Sequence, residues 1–361
     1  MQRYGQLWEQ FIAWDNLVLA ARKARRGKRD RPAVLRFEFN REAELLRLQR
    51  ELQAGAWQPG PFTTHWIARP KPRLISAAPY RDRVVHHALM NVLEPILDRH
   101  FHPDSYACRK GKGTHAASDR LMRLLARNRW AVQCDVRKYF PSIDHSHLKE
   151  EFRRRIKDVR LLALMDVVVD GSNAQEDVQE WFPGDDLFGP AARRRGLPIG
   201  NLTSQWFANW YLDRLDPLMT SEWGLGGYVR YCDDFLLLDD DRGRLGAAVA
   251  ACEEWLAGVR LRLHRERLAV LPSSSGRVFV GFRTWASHRL LKAANVRGFL
   301  RRLRWLKRQY ARGEIGVEEV RARLMSWLGH AGRASTRRLV ARLRRGWVFR
   351  RRCQAAAEPR D

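Results

Sequence analysis

Three aspartates are the residues best placed to do chemistry, because each lies at the end of, or within, an apolar run that predicts a β-strand. Asp135 follows the run Trp130–Cys134, and Asp233 and Asp234 stand side by side within Tyr228–Leu238. Adjacent carboxylates repel each other and are costly to remove from water. Two interpretations are open from the residues alone. One is a β-hairpin turn that leaves the carboxylates in water; the other is a site for Mg²⁺, which prefers carboxylate oxygens and shares its remaining positions with phosphate and water.

The charge balance of the chain favours the metal site. The chain has 361 residues, with 67 Lys and Arg against 40 Asp and Glu, for a formal net charge of +27. Hydrophobic residues make up 45% of it and Trp occurs 14 times, so we expect a folded protein. Such a surface attracts nucleic acid rather than an anionic membrane, because the cations occur along the whole chain. Two ions that bind the attacking and leaving oxygens of a phosphate displacement would make the chain a nucleotidyl transferase.

Mixed secondary structure must position these residues. Helical periodicity predicts helices over about 42–55, 81–100, 299–314 and 337–352. Strand-like runs occur at 130–136, 228–238 and 277–282. The segment 170–195, which is rich in Gly, Asp and Pro, predicts a loop or insertion. We therefore expect an α+β fold.

Several classes of protein are excluded. No apolar run reaches the roughly 18 residues of a membrane span, and residues 1–16 lack the basic and apolar regions of a signal peptide. The five cysteines are widely separated and contain no CxxC pair, which argues against a zinc site or a disulfide framework. His86, His87 and His330 have no second ligand at metal spacing, so we expect structural roles for them. These features predict a reducing, cytoplasmic location.

The aspartates belong to motifs that occur in a definite order. Asp135 lies in Cys134–His145 (CDVRKYFPSIDH), Gly196–Gln205 (GLPIGNLTSQ) follows, and the aspartate pair ends Tyr231–Asp234 (YCDD). In this order they resemble the first catalytic-aspartate motif, the template- and nucleotide-contacting motif and the YxDD motif of reverse transcriptases. Further segments resemble that family's fingers motifs and primer-grip hairpin: Lys71–Ser76 (KPRLIS), Arg81–His87 (RDRVVHH), Ser105–Gly113 (SYACRKGKG) and Gly276–Phe282 (GRVFVGF).

The middle motif resembles one branch of these enzymes. Most reverse transcriptases have Gln-Gly there and close the motif with Ser-Pro, whereas this chain has Ile199-Gly200 and Ser204-Gln205. That form resembles the reverse transcriptases of diversity-generating retroelements, as do residues 4–29 and the segment Ser326–Ala331. The resemblance implies copying of a template RNA with frequent errors at adenines.

The resemblance also implies an architecture. It is an α+β right-hand polymerase with fingers, a palm that contains an RRM-like sheet, and a helical basic thumb. The implied boundaries are a helical N-terminal extension at 1–60, fingers at 61–130, a palm at 131–285 with a fingers insertion at about 150–195, and the thumb with a basic tail at 286–361.

The site residues are likewise implied by the resemblance. Asp135, Asp233 and Asp234 are the catalytic residues and, with the main-chain carbonyl of Val136, hold two Mg²⁺ ions, for which Mn²⁺ could substitute. The implied nucleotide-binding residues are Lys71, Arg73, Lys138, Tyr139, Phe140, Ile199 and Gly200, with Phe140 as the steric gate against a 2′-hydroxyl. The implied template and primer contacts are Arg109, Lys110, Ser204, Gln205, Tyr231, Cys232 and Gly281.

Three departures from the family pattern affect these roles. The lysine expected to protonate leaving pyrophosphate is missing from Leu263–Arg267, where only His264 and Arg267 are nearby, and an arginine with a pKa above about 12 is a poor acid. Ile199 replaces a glutamine that touches the incoming nucleotide, and we hypothesise that the looser contact lowers fidelity. The hairpin reads Val280-Gly281 where Leu-Gly is usual.

The implied partners are a template RNA and its cDNA duplex, dNTPs, and a small basic helical accessory protein that oligomerises, in a prokaryote or phage and without a membrane. Two alternatives stay open. One is another prokaryotic reverse transcriptase of ordinary fidelity, from a phage-defence system or a group II intron. The other is a catalytically silent RNA-binding protein on a polymerase scaffold, against which the intact aspartate triad argues.

Overall fold

The computed structural model describes residues 3–68, 72–173 and 176–351, with the side chain of Arg267 excepted. Lys71 and the tail beyond residue 351 lie outside the described residues. The helices of the described chain are α1 (Trp8–Ile12), α2 (Trp14–Ala24), α3 (Pro32–Phe39), α4 (Arg41–Gln53), α5 (Tyr80–His100), α6 (Thr114–Arg127), α7 (Tyr139–Ser142), α8 (His145–Arg155), α9 (Val159–Asp170), α10 (Gly189–Ala192), α11 (Leu202–Tyr211), α12 (Leu215–Pro217), α13 (Arg242–Gly258), α14 (Ala293–Ala311), α15 (Val317–Ala331) and α16 (Arg337–Arg344).

The strands form three antiparallel sheets. They are β1 (Thr63–Ile67), β2 (Arg73–Ala77), β3 (Trp130–Asp135), β4 (Gly227–Tyr231), β5 (Asp234–Asp239), β6 (Leu271–Pro272), β7 (Arg277–Phe279), β8 (Phe282–Thr284) and β9 (Arg289–Leu291). β1 and β2 make a hairpin, β7, β8 and β9 make a small sheet, and the central sheet has the order β4-β5-β3-β6. The fold is therefore a mixture of helices and sheets, as the sequence predicts.

The central sheet is covered on both faces, which explains why Phe235–Leu238 is a continuous apolar run. Successive residues of a strand point to opposite faces. Phe235 and Leu237 pack into the larger core with helices α5, α11 and α13, whereas Leu236 and Leu238 pack into a second core against α6. A strand buried on both sides has no polar face to expose.

Most predicted elements are confirmed. The helices expected at 42–55 and 81–100 are α4 and α5, and the run 228–238 forms the two strands β4 and β5. The helix predicted over 337–352 is wrong in length, because α16 ends at Arg344 and Gly346 follows. Glycine just past the last turn is a common helix stop, which outweighed the basic and apolar periodicity. No helix in the described part of the chain is both long and apolar enough to cross a bilayer.

Candidate active site

The register of the central sheet brings the three aspartates to one end of it. Asp135, the last residue of β3, pairs directly with Asp234, the first residue of β5. Cys232 and Asp233 form the two-residue turn that joins β4 to β5, and the Val136 amide donates to the Asp233 carbonyl at 3.1 Å. A hairpin turn is therefore present, but it consists of Cys232 and Asp233 and lies beside the carboxylate of Asp135 rather than in open water.

Both turns at this end carry backbone strain. Cys232 has φ +60° and Lys138, three residues after Asp135, has φ +47°. A residue with a side chain in the left-handed region costs of order 1–3 kcal/mol and persists only when its surroundings hold it. Hairpin turns with positive φ at this position normally use glycine. Strain of this kind is concentrated at functional sites, so these two turns mark the same end of the sheet as the aspartates do.

The carboxylates are electrostatically coupled. Burial, together with the nearby charge of Asp135, raises the pKa of Asp233, whereas the Arg73 guanidinium acts to lower it. The Gln133 amide donates to Asp234 Oδ1 at 2.7 Å. A buried carboxylate such as Asp233, whose pKa is raised, is a group that a divalent cation would stabilise.

The donor set fits Mg²⁺ rather than a self-sufficient metal cage. Within the described ranges no cluster of three or more His, Cys, Asp or Glu side chains is arranged to hold a metal ion. Mg²⁺ commonly uses one or two carboxylates and takes its other ligands from substrate phosphates and water. Asp135, Asp233 and Asp234 supply oxygens of that kind at one place, so they are the residues that could hold such an ion.

Arg73 reaches this site on the β1–β2 hairpin, which is bonded to the Ile199–Asn201 loop. The Ser76 amide donates to the Ile199 carbonyl at 2.8 Å, and the Asn201 side-chain amide donates to the Ser76 carbonyl at 3.2 Å. Gly200 has φ +120°, and a Cβ there would lie 3.0 Å from the Ile75 side chain. Arg73 is exposed and Ile199 is half-buried. The structure therefore brings together the predicted nucleotide-binding residues Arg73, Ile199 and Gly200.

The turn after β3 carries two adjacent aromatic residues that differ in burial. Tyr139 is buried, its hydroxyl donates to the Ala208 carbonyl, and burial raises its pKa well above the usual range. Phe140 is half-buried, so the short helix α7 turns one ring into the core and leaves the other near the surface. Lys138 pairs with Glu176 at 2.7 Å. Tyr139 therefore packs the turn instead of facing a nucleotide, while Phe140 and Lys138 stay at the surface.

The predicted template and primer contacts differ in exposure, because some are buried in the protein and others lie at the surface. Arg109 is almost fully buried: its guanidinium donates to Asp98 Oδ1 at 2.5 Å and to the carbonyls of Asp98, His102 and Ser105. Its cationic group is thus committed to the protein, because these contacts occupy the guanidinium within the fold. Lys110 and Gln205 are exposed, Tyr231, Cys232 and Gly281 are half-buried, and Ser204 is buried. Gln205 accepts a hydrogen bond from the Cys108 thiol at 3.5 Å.

Two further predictions concern the turn at Val280–Gly281 and the position of His264. Val280 and Gly281 form the two-residue turn between β7 and β8, with φ +42° and +91°. The main-chain amide of His264 donates to the Asp135 carbonyl at 2.9 Å, so His264 is next to the site. The side chain of Arg267 is outside the described residues.

Sequence reasoning missed Gln133. Residues two apart on a strand share a face, so a lone polar residue two positions before Asp135, within the run Trp130–Cys134, was the available signal. In the structure the Gln133 side-chain amide donates to Asp234, which lies two pairs further along the ladder, opposite Asp135.

Comparison with known proteins gives one family match and several distant relatives. The family model described as "Reverse transcriptase (RNA-dependent DNA polymerase)" matches residues 67–284, more than half of the chain. Protein YkfC of Escherichia coli (strain K12) is 26% identical over 309 residues, which cover 74% of this chain and 77% of that protein. Group II intron-encoded protein LtrA of Lactococcus lactis subsp. cremoris is 25% identical over 178 residues, 48% of this chain and 28% of that protein.

Among solved structures, apo telomerase from Candida Tropicalis truncated from its C-terminal domain has a TM-score of 0.45 at 13% identity. The match covers 67% of this chain and 59% of that one. This likeness is too low to support an inference about the fold. The chain spans less than a third of LtrA and about three quarters of YkfC.

Proposed function

The chain belongs to the reverse transcriptase (RNA-dependent DNA polymerase) family, and from that premise we propose that it extends a DNA primer on an RNA template at the end of the central sheet. The 3′-hydroxyl of the primer gives up its proton to water, and its oxygen forms a bond to the α-phosphorus of a dNTP. The bond from the α-phosphorus to the β-phosphate oxygen breaks and releases pyrophosphate. The observation that carries the proposal is the register that places Asp135 opposite Asp234, with Asp233 in the adjoining turn.

We assign different roles to the residues of the site. Asp135, Asp233 and Asp234, with the Val136 carbonyl, hold two Mg²⁺ ions, or Mn²⁺ in their place. When bound, these ions supply charge stabilisation at the reacting phosphate. Arg73, exposed on β2 near Asp233, donates to the triphosphate, for which a guanidinium fork is well shaped. Lys138 contributes charge once it leaves Glu176, and Phe140 packs under the sugar and excludes a 2′-hydroxyl.

The elements divide into the parts of a right hand. We assign the helices before residue 61 to an N-terminal extension, the β1–β2 hairpin with α5 and α6 to the fingers, the central sheet to the palm and α14–α16 to the thumb. The larger core joins α1, α2, α4 and α5 to the central sheet. The extension therefore packs as part of the polymerase body.

The basic test is primer extension on an adenine-rich RNA template with dNTPs and Mg²⁺. We expect Asp233→Asn to reduce extension by at least about 100-fold, the scale of removing an electrostatic group at a reacting centre. Asp30→Asn is the matched control, since Asp30 is exposed and the charge change is the same. Equal extension by both variants would exclude Asp233 from catalysis, whereas no extension by the unmodified chain would favour the silent-scaffold alternative.

We further propose that the polymerase is error-prone at template adenines, as in a diversity-generating retroelement with a small basic accessory protein. The support is Ile199, an apolar side chain whose backbone is fixed by Ser76 and which cannot donate or accept hydrogen bonds. Ile199→Gln should lower the error frequency at template adenines, measured by sequencing the cDNA. An unchanged error spectrum counts against the role of Ile199. Faithful copying by the unmodified chain favours the alternative of an ordinary prokaryotic reverse transcriptase, which the likeness to the intron-encoded protein LtrA also suggests.

A further inference from the structure

A buried ion pair lies directly behind the turn that carries Asp233. Arg230 of β4 and Asp216 of α12 both have 0% side-chain exposure. The guanidinium donates from Nε and Nη2 to the two carboxylate oxygens at 2.6 Å each, and the Tyr228 hydroxyl donates to the same carboxylate at 2.5 Å. This network fixes the orientation of the Arg230 side chain.

Arg230 has a further donor, which reaches the strained turn. Its Nη1 donates to the carbonyl of Cys232 at 3.3 Å, and Cys232 is the residue with φ +60°. The main chain of Arg230 is held from the other side, because its amide donates to the Asp104 carbonyl and its carbonyl accepts from the Tyr106 amide, both at 2.9 Å. One residue therefore links a rigid segment of the protein to the turn.

Stability alone does not explain why the buried Arg230–Asp216 ion pair is present. Apolar residues of similar volume often replace a buried ion pair without loss of stability, because two charges must be taken out of water to form it. A lysine could pair with Asp216, but it lacks the planar fork that binds a carboxylate with two donors and a carbonyl with a third. An arginine is thus needed to bind the Asp216 carboxylate and the Cys232 carbonyl at the same time.

We propose that Arg230, held by Asp216, is a positioning residue that keeps the peptide between Cys232 and Asp233 in the orientation that presents the Asp233 carboxylate beside Asp135. The catalytic consequence rests on the proposed function; the effect on the turn does not. Without this hold, the turn relaxes toward negative φ at Cys232 and the Asp233 carboxylate leaves its place.

The experiment compares two buried pairs. The double variant Arg230→Met/Asp216→Leu removes both charges and the contact to Cys232. The matched control, Arg155→Met/Asp213→Leu, removes another buried Arg–Asp pair, whose Arg makes no described hydrogen bond to the turn. Arg230→Lys is the second test variant, since it keeps the charge opposite Asp216 should the double variant not fold. The readouts are hydrogen–deuterium exchange of residues 231–236 without metal, and the Mg²⁺ concentration that gives half-maximal primer extension.

We expect the turn to exchange about tenfold faster in both Arg230 variants and the half-maximal Mg²⁺ concentration to rise by roughly tenfold or more, as when a supporting partner of a metal ligand is lost. The control pair should show neither change. Cys232→Gly, added to the double variant, should restore protection of the turn because glycine adopts positive φ without strain. Unchanged exchange in both Arg230 variants overturns the proposal. Absence of extension by the unmodified chain argues against the proposed function and leaves the exchange result standing.

Discussion

Asp135 and Asp234 are directly paired across β3 and β5, so two carboxylates face each other at the open end of the central sheet. Residues paired in this way have Cβ atoms about 4.5–5.5 Å apart, and like charges there are destabilising. The charge of Asp135 also acts on Asp233 in the adjoining turn and raises the pKa of its carboxyl group. The charge of Asp135 therefore opposes the ionisation of Asp233, and a cation bound beside them would offset this effect.

This repulsion predicts how metal-free stability depends on pH. The pKa of Asp233 is raised in the folded protein, so the folded state binds a proton more tightly than the unfolded state. The contribution of Asp233 to stability is therefore greatest in acid and decreases as pH rises from about 4, the unfolded value, through the folded pKa. Asp135→Asn should reduce this decrease, because it removes a charge that raises the pKa.

The measurement is the free energy of unfolding against pH, in EDTA and again with excess Mg²⁺. Mg²⁺ should stabilise the unmodified protein more than Asp135→Asn. Asp30→Asn, at an exposed position, should behave like the unmodified protein in both solutions. The electrostatic account fails if Asp135→Asn and Asp30→Asn respond identically.

Phe140 should set the choice of sugar. Phe140→Ala opens space beside the turn after β3, so we expect the ratio of kcat/KM for a dNTP over the matching rNTP to drop by about tenfold or more. Phe39→Ala is the control, because the Phe39 ring is 88% exposed on α3. Single-nucleotide insertion kinetics would measure both, and an unchanged ratio for Phe140→Ala would assign the ring to packing alone.

Gly200 should couple stability to nucleotide binding. A side chain there meets Ile75 and the Ser76 carbonyl, at 3.0 and 3.3 Å, in a backbone with φ +120°. Gly200→Ala should cost about 1–3 kcal/mol and raise KM for dNTPs, because the displaced β2 carries Arg73. Gly246→Ala, in α13 with open space around it, should instead stabilise by about 0.5–1 kcal/mol. Chemical denaturation and steady-state kinetics separate the two effects, and equal outcomes would contradict the packing argument.

What could be predicted from the sequence follows from local chemistry. Asp135, Asp233 and Asp234 stand out because each adjoins an apolar run, and the helices α4 and α5 follow from periodicity. The chain has 67 Lys and Arg residues, and local patterns do not show which of their side chains point into the protein and which point to solvent. Arg109 is in a motif and yet binds Asp98 and three carbonyls inside the protein.

The sequence also does not show which residues contact each other when they are far apart along the chain. Nothing in the spacing of Tyr139 and Phe140 tells which ring enters the core, since that depends on Ala208. The link between Arg73 and Asp233 joins residues 160 positions apart along the chain. Such contacts are set by how the sheet and the hairpin close in three dimensions.

His86 should make the protein sensitive to acid. It is buried in α5, and burial lowers its pKa to about 4, so the folded state keeps it neutral while the unfolded state accepts a proton near pH 6.5. The contribution to stability is complete above pH 6.5 and is lost as pH falls toward 4, by up to roughly 3 kcal/mol. His86→Gln should flatten the dependence of Tm on pH in that range, whereas His65→Gln, at an exposed position on β1, should not. Parallel curves for the two variants would mean that other groups dominate.

The pairing of β3 with β5 also limits how early the central sheet can form during translation. Trp130 and Asp135 pair with Asp239 and Asp234, so about 100 residues must be translated after β3 before its central partner exists. At about 5–20 residues per second this takes roughly 5–20 s. The helices α1–α5 precede β3 in the chain and can pack on one another during that interval. The end of the sheet where the three aspartates meet can therefore form only after β5 has been translated, when α1–α6 are already complete.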